Sequence, residues 1–351
     1  MLESAFLVRR QQPPLWLSGL CYAAGLVLGL AISALLLVNA GVPADALVDE
    51  FLVATFLTAD GLSQTMTAAL PLILVGLGSA VAMRVRFWNI GIEGQLWLGA
   101  IAATWVALND IGPESLRLPL MLGLAAAAGA GWILISLVLK LRWGVSEVIS
   151  TLLLGSVAFL LVQHLLFGVW RDPANSFPVS TSFSPAARFP AFGWGPFHAG
   201  AIVVAGVTLT VWFLLGHTRL GFYADAVGRN PRTARAAGLP VRATIVGLVL
   251  LSGALCGMAG MLIVAGTEHR LNQSVGTGYL FSAIVIAFLA RARPLAVVVV
   301  AVALGAIYTA GNVLKVFYSI SEAMIVLAQG AVLLSLLMAQ FFSTFSLHRP
   351  S

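Results

Sequence analysis

The stretch GLSQTMTAALPLILVGLGSAVAM, residues 61–83, contains no charged side chain. A helix needs about 20 predominantly apolar residues to cross the hydrocarbon core of a bilayer. Arg84 and Arg86 follow directly, and short basic clusters between long apolar runs are typical of polytopic membrane proteins. The stretch is therefore predicted to be a transmembrane helix.

The composition of the whole chain agrees with this interpretation. Of its 351 residues, 60% are hydrophobic and 9% are charged, whereas a soluble domain has about 25% charged residues. A soluble fold of this length has too little interior to bury so much apolar surface, so a soluble enzyme, a nucleic-acid-binding protein and a disordered chain are excluded. The net charge of +6 comes from basic residues in loops, and no nucleic acid partner is expected.

Ten runs along the chain meet or approach the length of a spanning helix. The first run has 24 residues, which is longer than the core of a signal peptide, about 7–15 residues, so we expect it to be a span. The sequence predicts an all-α integral membrane protein with one transmembrane domain over residues 1–351. The predicted helices cover residues 15–38, 61–83, 87–108, 118–139, 148–169, 199–216, 243–266, 276–290, 294–314 and 323–342.

The distribution of basic residues predicts the orientation. With both termini in the cytoplasm and ten spans, 14 of the 19 Lys and Arg residues fall in inside loops and 5 in outside loops, as the positive-inside rule requires. Two loops are long: residues 170–198 outside, and residues 217–242 inside. The outside loop is large enough to contact a partner, and the inside loop carries five arginines.

The inside loop contains the signals of a short helix. Asn230 is a favourable N-cap and Pro231 suits the first helical position, while Gly238 and Pro240 mark the end. A two-turn helix would not be stable alone in water, so it must dock on something. Two interpretations are open: the helix lies on lipid headgroups, or it is a coupling helix pressed into a cytoplasmic partner that does work.

A second polar feature lies in the third predicted span, FWNIGIEGQLWLGA, residues 87–100. Asn89, Glu93 and Gln95 are interrupted by two glycines, which weaken a helix by about 1 kcal/mol each. Broken helices occur at membrane depth only where they line a cavity or are covered by protein. Glu93 therefore either lines a pathway or pairs with Arg84 or Arg86 at the inner surface.

The eighth span begins in a similar way, with NQSVGTGYLF at residues 272–281. Spans two to five and spans seven to ten start from opposite sides, and each group has a glycine-interrupted second member. This arrangement is the sign of an inverted repeat with the solute passing near the meeting point of the halves.

The chain has no phosphate-binding loop of the form G-x-x-x-x-G-K-[ST], so it is not expected to bind ATP by such a loop. No H-x-x-x-H or C-x-x-C spacing occurs, so no metal or cofactor is expected. One rival function is a proton-coupled secondary transporter that uses Glu93. A second, an intramembrane enzyme with Glu93, Glu147 or His164 in acid–base roles, is not favoured by any spacing.

Three stretches together resemble one family. Residues 87–100 are similar to its F-N-I-G-x-E-G-Q-L signature with Trp88 inserted, residues 145–154 to its N-E-V-I-S-T segment, and residues 219–238 to its T-R-L-G-F…A-V-G-x-N-P stretch. The family is that of permease subunits of bacterial ATP-binding-cassette (ABC) importers for branched-chain amino acids, simple sugars and nucleosides, and the nucleoside and simple-sugar branch resembles this chain most. The family pattern A-L-L-G-R-N-x-P-L-G is replaced here by FLARARPLA at residues 288–296.

The resemblance implies a permease subunit, not an enzyme, in the bacterial inner membrane. It implies three protein partners: a cytoplasmic ABC ATPase, often a tandem fused one; a second permease, identical or paralogous; and a periplasmic or lipoprotein solute-binding protein. Membrane lipid would surround the rest. The candidate pathway residues are Phe87, Trp88, Asn89, Glu93, Gln95, Tyr279 and Phe281, and the candidate ATPase-coupling residues are Arg229, Asn230, Pro231, Arg232, Arg235, Ala236 and Gly238.

Overall fold

A computed structural model describes residues 6–9, 14–276 and 278–348. Thr277, in the predicted eighth span, and Arg10 and Arg349, in the predicted inside loops, lie outside the described residues. The helices are α1 (Leu15–Asn39), α2 (Ala44–Val48), α3 (Ala59–Arg84), α4 (Ile92–Leu108), α5 (Glu114–Trp143), α6 (Glu147–Phe167), α7 (Gly200–His217), α8 (Arg219–Arg229), α9 (Pro231–Ala236), α10 (Val241–Ile263), α11 (Tyr279–Leu289), α12 (Pro294–Tyr318) and α13 (Glu322–Thr344). Two π-helical segments, Asp49–Leu57 and Val264–Glu268, and a short 3₁₀ helix, Pro185–Ala187, complete the helical structure.

The prediction of an all-α membrane protein is confirmed. In the part of the chain that the structure describes, eight helices are long and apolar enough to cross a membrane, and α4 and α11 are two shorter apolar helices. The helices of the third and eighth predicted spans start later than predicted. Helix α4 starts at Ile92 and not at residue 87, and α11 starts at Tyr279 and not at residue 276. The cause is local, because Asn89 binds backbone and side-chain groups in a non-helical turn and Gly278 has a left-handed φ of +87°.

The chain divides into two compact units, residues 1–62 with 306–351, and residues 63–305. In the first unit α1 packs on α13, and the Ser33 hydroxyl donates to the Ala328 carbonyl at 2.7 Å. The strands β1 (Phe6–Arg9) and β2 (Phe345–His348) pair antiparallel. The two described ends of the chain are therefore neighbours.

The second unit has α4, α5 and α10 in close contact. A Cβ atom placed on Gly99 would overlap the Gly257 carbonyl oxygen, and one placed on Gly129 would overlap that of Gly253. Small residues let helix backbones approach closely. The van der Waals contacts made in this way help to hold helices together in lipid. These contacts fix α4 and α5 against α10.

One end of the second unit is defined here as the arginine-rich end, formed by residues 84–86, 217–242 and 290–293. Arg84 is the last residue of α3, and its guanidinium reaches three other segments. It donates to the Leu215 carbonyl, the Asp225 carboxylate and the Ala292 carbonyl, each at 3.4 Å. The ends of α3 and α7, helix α8 and the turn between α11 and α12 therefore meet at one side chain.

The opposite end of this unit is covered by the loop that follows α6. The backbone N–H groups of Ser180 and Phe183 donate to the Leu271 and His269 carbonyls at 2.9 and 2.8 Å. The buried Arg117 pairs with Asp110 at 2.7 Å and donates to the Ser184 hydroxyl at 3.1 Å. The loop is thus an ordered layer fixed to the end of α10.

A buried histidine completes this layer. The ring of His198 stacks on Phe189 with the centroids 5.5 Å apart. Burial, with a smaller contribution from His269, lowers the pKa of His198 to about 4. His198 is therefore neutral at physiological pH and acts as a packing group.

The turn between α11 and α12 contains strain that can be tested. Arg291 and Ala292 have φ values of +49° and +52°, and a left-handed conformation costs a residue with a Cβ atom about 1–2 kcal/mol. The family pattern has Asn at the position of Ala292, and Asn tolerates this conformation better. We expect Ala292→Gly to raise the free energy of unfolding by about 1 kcal/mol, measured by thermal unfolding of the purified protein in detergent.

The control is Ala287→Gly, inside α11, where added backbone freedom should lower the stability by about 0.5–1 kcal/mol. A destabilised Ala292→Gly variant would show that the turn is not strained.

Candidate functional site

The start of α4 lies deep within the second unit. Residues 85–91, which join α3 to α4, are not helical, and the Asn89 amide nitrogen donates to the Ser252 hydroxyl at 3.1 Å. Ser252 lies about 16 Å along α10 from Val241, at 1.5 Å per residue. Helix α4 has 17 residues, a length of about 25 Å, against a hydrocarbon core of about 30 Å. It therefore begins part-way through the layer that its neighbours cross.

The turn before α4 is held by a pair of buried amides. The Asn89 Nδ2 donates to Gln95 Oε1 at 2.9 Å, and Gln95 Nε2 donates back to Asn89 Oδ1 at 2.7 Å. The same Oδ1 accepts the N–H of Gly91 at 3.2 Å. Asn89 is 5% exposed and Gln95 1%. These two predicted pathway residues therefore use their hydrogen-bonding groups on each other and on the turn.

The first turn of α6 supports the same segment from the other side. The Thr151 hydroxyl accepts the N–H of Ile90 at 3.2 Å, and a side chain at Gly91 would collide with the Thr151 backbone. Glu147 begins α6 and pairs with Lys140, whose ammonium lies 5.1 Å from the ring centroid of Phe87. Phe87 is 1% exposed, so it belongs to this packed support.

Glu93 connects two helices that are far apart in sequence. Its Oε1 accepts the backbone N–H groups of Gly278 at 3.1 Å and of Leu280 at 3.2 Å. These groups open α11, which has 11 residues, a length of about 16 Å. Arg84 bonds elsewhere, and Arg86 donates to the Arg229 carbonyl at 3.2 Å. Among the described contacts, Glu93 pairs with backbone and not with arginine.

The remaining predicted pathway residues are accessible. Phe281 is 72% exposed and Trp88 46%, while Tyr279 and Glu93 are half-buried. The Trp88 ring lies 5.9 Å from the Phe288 ring on α11. The seven predicted residues thus form two groups: Phe87, Asn89 and Gln95 are inside the support, and Trp88, Glu93, Tyr279 and Phe281 flank the start of α4 and the start and exposed side of α11.

Helix α9 has the capping structure that the sequence predicts. The Asn230 Oδ1 accepts the N–H groups of Arg232 at 3.0 Å and Thr233 at 3.3 Å. At the other end Gly238 has φ +77°. Its N–H donates to the Arg235 carbonyl, and the Leu239 N–H donates to the Ala234 carbonyl, both at 3.0 Å. This pair of bonds is a Schellman motif, so local side chains and glycine fix both ends of the helix.

Only one face of α9 is buried. Ala234 is 4% exposed, whereas all seven candidate coupling residues are exposed. They are Arg229, Asn230, Pro231, Arg232, Arg235, Ala236 and Gly238. The helix therefore presents a basic, small-residue surface.

Helix α8, which precedes α9, is not predicted by the sequence analysis. Thr218 caps it by accepting the N–H of Leu220 at 3.2 Å, and it buries Gly221, Ala224 and Val227. This spacing of three residues is a helix signal that could have been found. Gly228 lies so close to the Arg84 carbonyl that a Cβ atom there would overlap it. Helix α8 is therefore joined to the end of α3, and α9 follows α8 directly in the chain.

The described residues contain no group of three or more His, Cys, Asp or Glu side chains that could hold a metal ion. What the site offers is a junction of two partial helices, with aromatic faces and one carboxylate. A basic surface helix at the arginine-rich end is tied to the far end of one of these helices. Such an arrangement can bind and move a solute.

Comparison with known proteins gives a consistent result. Residues 61–337 match the model of the family described as the branched-chain amino acid transport system permease component. The chain is 33% identical to the glucose ABC transporter permease protein TsgB13 of Haloferax volcanii, over 96% of this chain and 91% of that protein. It is 33% identical to the guanosine ABC transporter permease protein NupP of Bacillus subtilis, over 80% and 82%. It is 26% identical to the nucleoside ABC transporter permease protein NupB of Lactococcus lactis, over 74% and 75%.

The amide pair can be tested by a double-mutant cycle. Asn89→Leu or Gln95→Leu leaves a buried amide without its partner, so each should lower the free energy of unfolding by about 1–3 kcal/mol. The double variant should cost less than the sum by about 0.5–3 kcal/mol, because no lone amide remains. The measurement is the unfolding midpoint of the purified variants.

The control is Gln163→Leu on α6, a half-buried glutamine for which the structure records no side-chain bond among the described residues, and little change is expected. Strictly additive losses for Asn89 and Gln95 would contradict the pairing.

Proposed function

Because the chain belongs to the permease component family of branched-chain amino acid transport systems, we propose that it carries a nucleoside or simple-sugar-like solute inward, driven by ATP that a partner hydrolyses. The chain is a permease subunit of an ABC transporter and a multi-pass protein of the plasma membrane. The solute, the coupling surface and the composition of the complex are the subjects of the proposal. The proton-coupled alternative has no comparable support.

The observation that carries the proposal is the connection between α9 and α11. Helix α8, which α9 follows directly, is fixed to α3 by the close approach of Gly228 to the Arg84 carbonyl and by Arg86, which donates to the Arg229 carbonyl. Arg84 also bonds Asp225 on α8 and the Ala292 carbonyl beyond α11. A force applied to α9 therefore reaches the end of α11, and the start of α11 lies at Glu93.

The surface of α9 fits an ATPase subunit better than lipid alone. Arg232 and Arg235 are exposed on a helix whose two ends are already capped, so they are available to pair with acidic groups of a partner. Ala236 and Ala237 leave room for a groove to close around the helix. A helix of two turns is not stable alone in water, so contact with a partner groove would also help to hold α9 in its helical form.

The side chains at the junction support a neutral ring-shaped solute. Tyr279 and Phe281 offer ring faces at the start of α11, and Trp88 offers one beside Phe288 near the other end of that helix. Aromatic faces stack on nucleobases and on the apolar faces of sugars. The Glu93 carboxylate can accept hydrogen bonds from hydroxyl groups. The relatives named above include permeases for glucose, guanosine and nucleosides, which agrees with this class.

The junction also favours a second permease subunit. Ser274 and Gly278 are exposed in a non-helical segment, and Phe281 projects beside them. Lipid does not tolerate such backbone, which must be covered by protein or line an aqueous cavity. A second permease, identical or paralogous, facing this surface would do both, and a solute-binding protein would deliver the solute to the opposite end of the unit.

The solute class is tested by uptake into host cells that lack this chain. Uptake of labelled nucleosides or simple sugars should fall to background and return when the chain is restored. It should persist when an uncoupler collapses the proton gradient while ATP is maintained, because the energy comes from ATP. Uptake that survives ATP depletion but stops with the uncoupler would instead favour the secondary transporter.

The coupling helix is tested by Arg232→Asp and Ala236→Asp. Each puts an acidic group into the contact with the ATPase, and disrupting a close charged contact costs about 2–5 kcal/mol. We expect at least tenfold less ABC ATPase to co-purify with the tagged chain, together with loss of uptake, while membrane insertion is unchanged.

Arg171→Asp is the matched control, since Arg171 is exposed in the loop at the opposite end and should not affect the ATPase. Normal amounts of bound ATPase in both α9 variants would refute the coupling role.

A further inference from the structure

We propose that Glu93 is a positioning residue for transport, which holds the first turn of α11 through a hydrogen-bond acceptor and not through a transferable proton. This inference rests on the proposed function and deepens it. The feature that supports it is a contact between residues 185 positions apart in the sequence. A helix that begins inside the protein receives its cap from another helix.

The start of α11 receives a cap from another helix. The first N–H groups of any helix have no partner within the helix. The N-cap residue, Gly278, has no side chain and makes no side-chain cap bond. Glu93 supplies the missing acceptor, with Oε1 at 3.1 Å from the Gly278 nitrogen and 3.2 Å from the Leu280 nitrogen. Its negative charge also lies at the positive end of the helix dipole.

Glu93 is itself held in place. It lies between Ile92, which is 0% exposed, and Gly94, where a Cβ atom would crowd Gly155 and Trp132. One turn further along α4, the buried Trp97 packs so closely on Gly276 that a Cβ atom there would overlap its ring. Helix α4 therefore fixes the segment before α11 at two points, one polar and one apolar.

The consequence of this contact is the position of two aromatic side chains. Tyr279 and Phe281 flank Leu280, whose N–H is held by Glu93. Phe281 is 72% exposed and Tyr279 half-buried. A change in the length or acceptor capacity of residue 93 shifts the first turn of α11 and, with it, the rings that the solute meets. Solute affinity, and not only the amount of assembled protein, should therefore depend on Glu93.

The nature of the partners argues for an acceptor role. Both donors are neutral backbone N–H groups, and a glutamine amide oxygen is also able to accept hydrogen bonds from them. A bond to a charged acceptor is stronger than one to a neutral acceptor, so a glutamine holds the turn less tightly but in the same place. Methionine has a similar length and offers only a weak sulfur acceptor.

The experiment compares Glu93→Gln with Glu93→Met in the intact transporter, using the nucleoside or sugar that the wild-type complex takes up. We expect Gln to keep KM and maximal rate within about threefold of wild type, and Met to raise KM by at least about tenfold, because the backbone N–H groups of Gly278 and Leu280 lose their acceptor. The matched controls are Glu114→Gln and Glu114→Met, in the exposed first turn of α5, which should change neither.

Two outcomes would overturn the proposal. Loss of uptake in the Gln variant equal to that in the Met variant would show that the charge or its proton is required. An unchanged KM in the Met variant would show that the contact does not position α11. Rescue by Gln together with a raised KM for Met is the result that a merely structural role would not give.

Hydrogen exchange keeps the proposal testable if the Met variant does not assemble. The amides of residues 278 and 280 should exchange slowly in the wild-type and Gln proteins, although N-terminal helix amides are normally unprotected. Fast exchange in either protein would refute the contact. Failure of the proposed function can be distinguished from failure of the Glu93 contact. If the wild-type complex shows no ATP-driven uptake of nucleosides or sugars, the proposed function is wrong, whereas hydrogen exchange at residues 278 and 280 still tests the contact.

Discussion

Two helices of this protein begin part-way through the layer that their neighbours cross, and the backbone groups exposed at those breaks need partners from the protein itself. In hydrocarbon no water is available to satisfy them, and each unsatisfied group costs several kcal/mol. The turn before α4 finds its partners in the Asn89–Gln95 amide pair and in Thr151. The start of α11 finds its partner in Glu93. The polar residues of the predicted pathway therefore serve first to satisfy the backbone groups at the two interrupted helix starts.

The interrupted helices also link two distant parts of the second unit, the start of α4 and the arginine-rich end. The interrupted helices meet at Glu93, and the far end of α11 reaches Arg84 through the Ala292 carbonyl. Arg84 also joins α3, α7 and α8. Because α9 follows α8 directly, the exposed surface of α9 is linked through α8 and Arg84 to the far end of α11.

One departure from the family pattern, at Ala292, can be related to the backbone conformation of the turn between α11 and α12. Ala292 occupies the position at which the family pattern has Asn, and its φ is +52°. Asparagine is one of the few residues that adopt this conformation at low cost. Ala292 therefore adopts a conformation that suits Asn better, and the Arg84 bond to the Ala292 carbonyl is one of the contacts that support the turn.

The sequence by itself determined the helical membrane class, the approximate spans and both caps of α9, because these depend on apolar length and on side chains within a few residues of each other. It also identified the polar residues of the third and eighth spans. It missed α8 and placed two helix starts too early. It also left open whether Glu93 lines a pathway or pairs with an arginine. Only the tertiary structure decided that partner, because Glu93 and Gly278 lie 185 residues apart and no local pattern relates them.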